Sequence, residues 1–224
     1  YRLRYPGLVQ HRISFALAVV CCVGLAMWVT GSSWQSPDQH LIGNWIHPDC
    51  LSNHWLLAWV ADQLQSGESI LHNDRYYWPV GDAPLLAGNG AEGFLYLPFH
   101  LLFGWPSGVA FYLVAVLSLN GIAGWVLGRT CGAGPWASLL TAGITTTSPF
   151  VLQEASSGRF SQVSICWLLF TLASMLKIWR FAFAPRPASE EAPAPAPGRD
   201  NRALGLLVAL ILLLGFAAGP VYTY

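Results

Sequence analysis

The chain has 224 residues, 54% of them hydrophobic and 10% charged, where a soluble domain carries roughly 25% charged residues. Solvated surfaces need charge and lipid-facing surfaces cannot carry it, so this composition predicts an integral membrane protein. Eleven basic and eleven acidic residues leave a net charge of zero, which excludes the basic field a nucleic-acid-binding protein needs.

Residues 1–12 bring Arg2, Arg4 and Arg12 to the front of an apolar run over 13–31. That run is too long for a secretory h-region and ends without a small-x-small cleavage site, so a retained signal-anchor helix is expected. Crossing a hydrocarbon core of about 30 Å takes about 20 apolar residues. Four further stretches approach that length: 108–127, 133–152, 161–183 and 203–219. The predicted fold class is all-α, a polytopic helical membrane protein of about five transmembrane helices, with surface-lying helices in a long first outer loop.

The outer loop is expected over 32–107, with an amphipathic helix over 49–66. Within LSNHWLLAWVADQL, the residues Leu51, Trp55, Ala58 and Trp59 share one face at helical spacing. Gly67 follows as a C-cap stop. The run GFLYLPFHLLFGW over 93–105 is apolar but too short to span, and Pro98 and Pro106 bracket it. It is expected to re-enter the bilayer or lie at its surface.

Helices 2–4 are expected within 108–183. The stretch over 133–152 is the weakest, because Thr141, Thr145, Thr146, Thr147 and Ser148 dilute it and Pro149 interrupts it. Hydroxyls that return hydrogen bonds to their own backbone suit a helix packed on other helices; lining a cavity is the other use of such a segment. Residues 184–202 form a Pro/Ala-rich cytoplasmic linker, 203–219 the fifth span and 220–224 its outer end. The sequence opens on Tyr1 and stops just past the fifth span, so a piece of a longer protein is expected.

With the N-terminus inside, nine basic residues fall in inner segments (Arg2, Arg4, Arg12, Arg129, Lys177, Arg180, Arg186, Arg199, Arg202) and two, Arg75 and Arg159, in outer ones. That bias predicts a cytoplasmic N-terminus and an outer first loop. The five cysteines show no spacing of a disulfide framework or zinc site.

Chemistry-bearing residues concentrate in the two outer loops. Asp49, in HPDCLSNHW, stands at the start of the amphipathic helix, where capping is the simplest role for an aspartate. His47, Asp49 and His54 are metal-ligating types, but their spacing defines no site. In QEASSGRFSQ, Glu154 and Arg159 are the only charges. Arg159 beside a glycine turn can hold a phosphate, pair with Glu154 or reach lipid headgroups.

These features together resemble the N-terminal half of the GT-C superfamily, polytopic glycosyltransferases that use polyprenyl-phosphate sugars. The resemblance rests on Asp49, Trp55-x3-Trp59, Gly67, then Tyr77-Trp78-Pro79-Val80-Gly81, and on Ser157-Gly158-Arg159-Phe160-Ser161-Gln162 ahead of Trp167-Leu168. It covers roughly 13–176 and is similar to bacterial members of the superfamily. Trp167-Leu168-Leu169 lacks the proline often found there, and family members have more helices.

The resemblance implies sugar transfer at the outer face of the bacterial cytoplasmic (inner) membrane. It gives Asp49 the role of general base or metal ligand, with a divalent cation as the implied cofactor. Arg159 would hold the leaving phosphate, and Asp82, Glu154 and His54 would support. Membrane lipids and a polyprenyl-phosphate sugar are the implied partners. The competing expectation is a non-catalytic subunit or scaffold packed on other membrane subunits, for which eleven tryptophans supply anchors. A transporter fits less well, since the spans hold almost no polar residues beyond Asn120 and the threonines.

Overall fold

The computed structural model describes residues 6–70, 72–73, 83–84, 90–183 and 205. The expected linker, the fifth span, Asp82 and the Tyr77–Gly81 motif lie outside the described residues.

The described residues are almost entirely helical. In order they form α1 (Pro6–Val29), a 3-10 turn (Gly31–Trp34), α2 (Pro48–Ser66), α3 (Gly90–Phe103), α4 (Ser107–Thr130), α5 (Pro135–Thr146), α6 (Pro149–Ser157), α7 (Phe160–Val163) and α8 (Cys166–Phe183). Between α2 and α3 a two-residue antiparallel rung pairs β1 (His72–Asn73) with β2 (Ala83–Pro84).

Among the described residues, three segments are long and apolar enough to cross a membrane: Arg12–Val29, Ser107–Thr130 and Phe160–Arg180. α4 is the hub, touching α1, α3, α5, α7 and α8. Its approach to α5 depends on glycine. A Cβ on Gly124 would collide with Thr145 Oγ1, and one on Gly121 with Thr146 Oγ1 and Cys22 Sγ. Small residues replace a hydrophobic driving force where helices associate in lipid. α1 answers with the stripe Ala18, Cys22, Ala26, all fully buried, while Ile13, Val20 and Trp28 point outward.

The third expected span is two helices. α5 is 12 residues long, about 18 Å of rise, and the chain breaks at Thr147–Ser148 before restarting as α6. Ser148 caps α6, accepting from the Val151 N–H at 3.2 Å. Thr141, Thr145, Thr146 and Thr147 each donate to the carbonyl four residues back, at 2.9–3.0 Å, while Trp136, Leu140 and Ile144 leave one side of α5 exposed.

α2 begins and ends where expected, within one residue, and Gly67 closes it in the left-handed region (φ 74°), donating to Gln63 O. Of the four residues expected on its apolar face, Trp59 is buried, Trp55 and Ala58 are half-buried and Leu51 is 52% exposed; Cys50, Asn53, His54, Leu57, Val60 and Ala61 are buried as well. The polar ones among these find partners: Asn53 Nδ2 donates to Asp49 O (2.8 Å) and His54 Nε2 to Ile42 O (2.7 Å). α3 packs on α2 and α4, with Gly93 pressed onto Val60. At 14 residues α3 is too short to span, as its sequence predicts.

Two of the nine basic residues assigned to one side by sequence lie at one end of α4. Arg129 Nη1 donates to Ala133 O (2.6 Å), and Arg180 reaches the Thr130 carbonyl at the same end of α4.

Candidate functional site

At the opposite end of α4, three backbone segments meet. Loop residues Ile42–Gly43, the first turn of α2 and the turn at Gly158 come close enough to exclude side chains. A Cβ on Gly43 (φ 121°) would lie 2.7 Å from Gly158 Cα, and one on Gly158 (φ 75°) 2.5 Å from Cys50 Sγ. Glycine is required at both positions, because positive φ and crowding act together. The Ile42 carbonyl ties the junction, accepting from His54 Nε2 and, at 3.7 Å, from Cys50 Sγ.

Asp49 stands beside this junction. It is not the N-cap: His47 holds that place, Pro48 follows at the first helical position, and Asp49 lies within the first turn. Its side chain is exposed and meets no partner among the described residues. The free N–H groups of the turn favour its negative charge.

Arg159 and Glu154 form a two-point ion pair, Nε to Oε2 at 2.7 Å and Nη2 to Oε1 at 2.9 Å. Glu154 is 4% exposed. Of the three roles open to Arg159 by sequence, pairing with Glu154 is the one seen. Gly158 makes it possible by ending α6 in the left-handed region, so that Arg159 N returns to Glu154 O (3.0 Å) and the guanidinium swings back over the helix. The guanidinium edge bearing Nη1 remains available for a further acceptor.

His54 is buried, its ring edge-on to Phe160 (5.0 Å). Burial pulls its pKa below the usual histidine value, the Ile42 hydrogen bond opposing weakly. It is a neutral strut for the junction. Burial likewise raises the Cys50 thiol. Asp82 lies outside the described residues. Among the described residues, no three His, Cys, Asp or Glu side chains converge as metal ligands. Among the described residues, those around Asp49 do not make up a cation site.

Two features escaped sequence reasoning. Glu92, in the first turn of α3, is 1% exposed and neither carboxylate oxygen has a hydrogen-bond partner among the described residues. Desolvation pushes its pKa to about 8. The one signal was an acid two residues inside an apolar run, GAEGFLYL. Nearby, Asp62 Oδ1 meets His100 Nε2 (3.2 Å) and His100 Nδ1 meets the Tyr96 hydroxyl (3.3 Å), a chain from the surface to a buried phenol.

The second is a cavity of about 640 Å³ between the end of α1, the following loop, α4 and α6. Gly43 and Ser156 line it, so it adjoins the Gly158 junction, but Asp49, Glu154 and Arg159 do not. No family model, curated protein or solved structure matches this chain.

Proposed function

We propose that this chain is a multi-pass protein of the bacterial cytoplasmic membrane that takes part in moving a sugar from a polyprenyl-phosphate donor to an acceptor at the outer face. The observation that carries the reading is an exposed Asp49 carboxylate, without a partner among the described residues, beside the close-packed junction of Cys50 and Gly158 that precedes Arg159. Cys50 packs on Gly158, so the two candidate groups belong to one unit.

The chemistry asks two things of such a unit. An acceptor hydroxyl attacks the anomeric carbon, its proton passes to the Asp49 carboxylate, and the carbon–oxygen bond to phosphate breaks with its electron pair leaving on the polyprenyl phosphate. The Nη1 edge of Arg159 meets the charge growing on that phosphate, while Glu154 fixes the guanidinium plane. The nine-to-two distribution of basic residues supports an inner N-terminus, five spans and an outer junction. The gathering of Arg129 and Arg180 at the far end of α4 agrees with it.

One observation favours the competing reading, a non-catalytic subunit of a larger membrane complex. Glu154 already neutralises Arg159, which weakens its pull on phosphate. Sugar transfer to endogenous acceptors in membranes, measured with radiolabelled polyprenyl-phosphate sugar, separates the two. Asp49→Asn should abolish transfer with insertion and folding intact. Transfer at the wild-type rate in that variant, or none in wild type, gives the field to the subunit reading.

A further inference from the structure

We infer that the cavity of about 640 Å³ beside the end of α1 binds the uncharged, hydroxyl-rich headgroup of an amphiphile whose hydrocarbon chain lies along α4 and α6. Three observations converge on that class of ligand.

The first is the split between its walls. Val29, Leu113, Leu117, Leu152 and Ala155 make one side aliphatic, and Ser32, Ser33, Gln35, Ser36 and His40 make the other polar. The second is what the polar side lacks. Among the described residues, no Asp, Glu, Lys or Arg lines the cavity, so an anionic or cationic headgroup would lose water there without gaining a counter-charge from them.

The third is unspent hydrogen-bonding capacity. Thr30 donates to Ala26 O (2.7 Å) and accepts from Trp34 Nε1 (3.1 Å), and Ser156 donates to Gln153 O (2.8 Å). The side chains of Ser32, Ser33, Gln35 and Ser36 make no such bond within the described residues. Hydroxyls and a carboxamide that both donate and accept match a sugar or polyol, whose hydroxyls do the same.

Position agrees with this. The membrane-crossing segment of α1 ends at Val29, so the polar wall begins where the apolar span stops, and an amphiphile would keep its tail beside the spans. The volume falls within the roughly 300–1,000 Å³ of ordinary small-molecule sites. Binding of this kind does not depend on the sugar-transfer reading, although there it would seat the acceptor.

The test uses the full chain in phosphatidylcholine nanodiscs and octyl β-glucoside carrying a diazirine on its alkyl chain. After photolysis, the label should map to residues 113–117 or 152–156. Plain octyl β-glucoside should compete and octyl phosphate should not. Ser156→Phe, which adds bulk at an exposed lining position, should lower labelling about tenfold, the effect of roughly 1.4 kcal/mol on affinity. Ser32→Ala/Ser33→Ala, which removes hydroxyls without adding bulk, should lower it too and guards against a misfolded bulky variant. Asp49→Asn should label like wild type, so failure of the catalytic reading leaves this result standing. Label spread over the lipid-facing side of α8, equal competition by octyl phosphate, or undiminished labelling of both cavity variants overturns the inference.

Discussion

Asn120, fully buried in the middle of α4, donates from Nδ2 to the Val163 carbonyl at 2.8 Å and accepts the Cys166 N–H on Oδ1 at 2.9 Å. One carboxamide thus closes both sides of the interruption between α7 and α8. The segment Phe160–Arg180 is long and apolar enough to cross a membrane, and in hydrocarbon the backbone groups freed by such a break need a partner other than water. Asn120→Ala should lower thermal stability in detergent by a few kcal/mol, since two buried backbone groups lose their partner at once. A melting temperature equal to wild type would mean the break is satisfied by other means.

Glu92 makes stability depend on pH in a direction opposite to most carboxylates. Its pKa rises from an ordinary 4.5 to about 8 in the folded protein, so the folded state binds its proton more tightly than the unfolded chain. Below about pH 4.5 both states are protonated and the group is neutral in the balance. As pH climbs from there to about 8, the unfolded chain gains by ionising and stability falls by a few kcal/mol. Glu92→Gln should therefore match wild type near pH 4.5 and exceed it at pH 8. Melting temperatures of the two proteins across that window decide it, and parallel curves would reject a buried carboxyl.

The Gly158 junction gives a chemical readout. Cys50 is 1% exposed and its thiol is held up by burial, so maleimide should modify it slowly. Gly158→Ala forces a Cβ against Cys50 Sγ at a positive φ and should part the two segments. Cys50 modification, followed by peptide mass spectrometry, should then speed up about tenfold or more, an opening eased by at least about 1.4 kcal/mol. Unchanged labelling in the variant would show that the contact is not what shields the thiol.

Much of the helical plan was legible from apolar run length and punctuation. Gly67 and Pro48 bound α2 because a left-handed residue and a first-turn proline act locally. The burial of Asn53 and His54 on α2, beside Trp59 of the expected apolar face, was not legible. Asn53 and His54 look like surface residues until Asp49 O and Ile42 O turn out to satisfy them. The break before Pro149 was visible as an interruption, but the length of α5 was not, since threonines score as weak apolar residues and their bonds to carbonyls are invisible to hydropathy. Arg159 and Glu154 were both singled out by charge, while their pairing depends on the turn geometry at Gly158. Glu92 was given no role by its place in the sequence. Its burial follows from α3 docking on α2 and α4, and no local pattern announces that.

The glycine seam of α4 also bears on how the protein is made. α5 is too short to cross a bilayer by itself, and its threonine- and serine-bearing side packs on Gly121, Gly124 and Gly128 of α4, with α1 alongside. If the chain is placed in a bilayer, α5 alone lacks the length to cross it. It would then enter as the second arm of a hairpin with α4, and side chains added along that seam would act first on the yield of inserted protein.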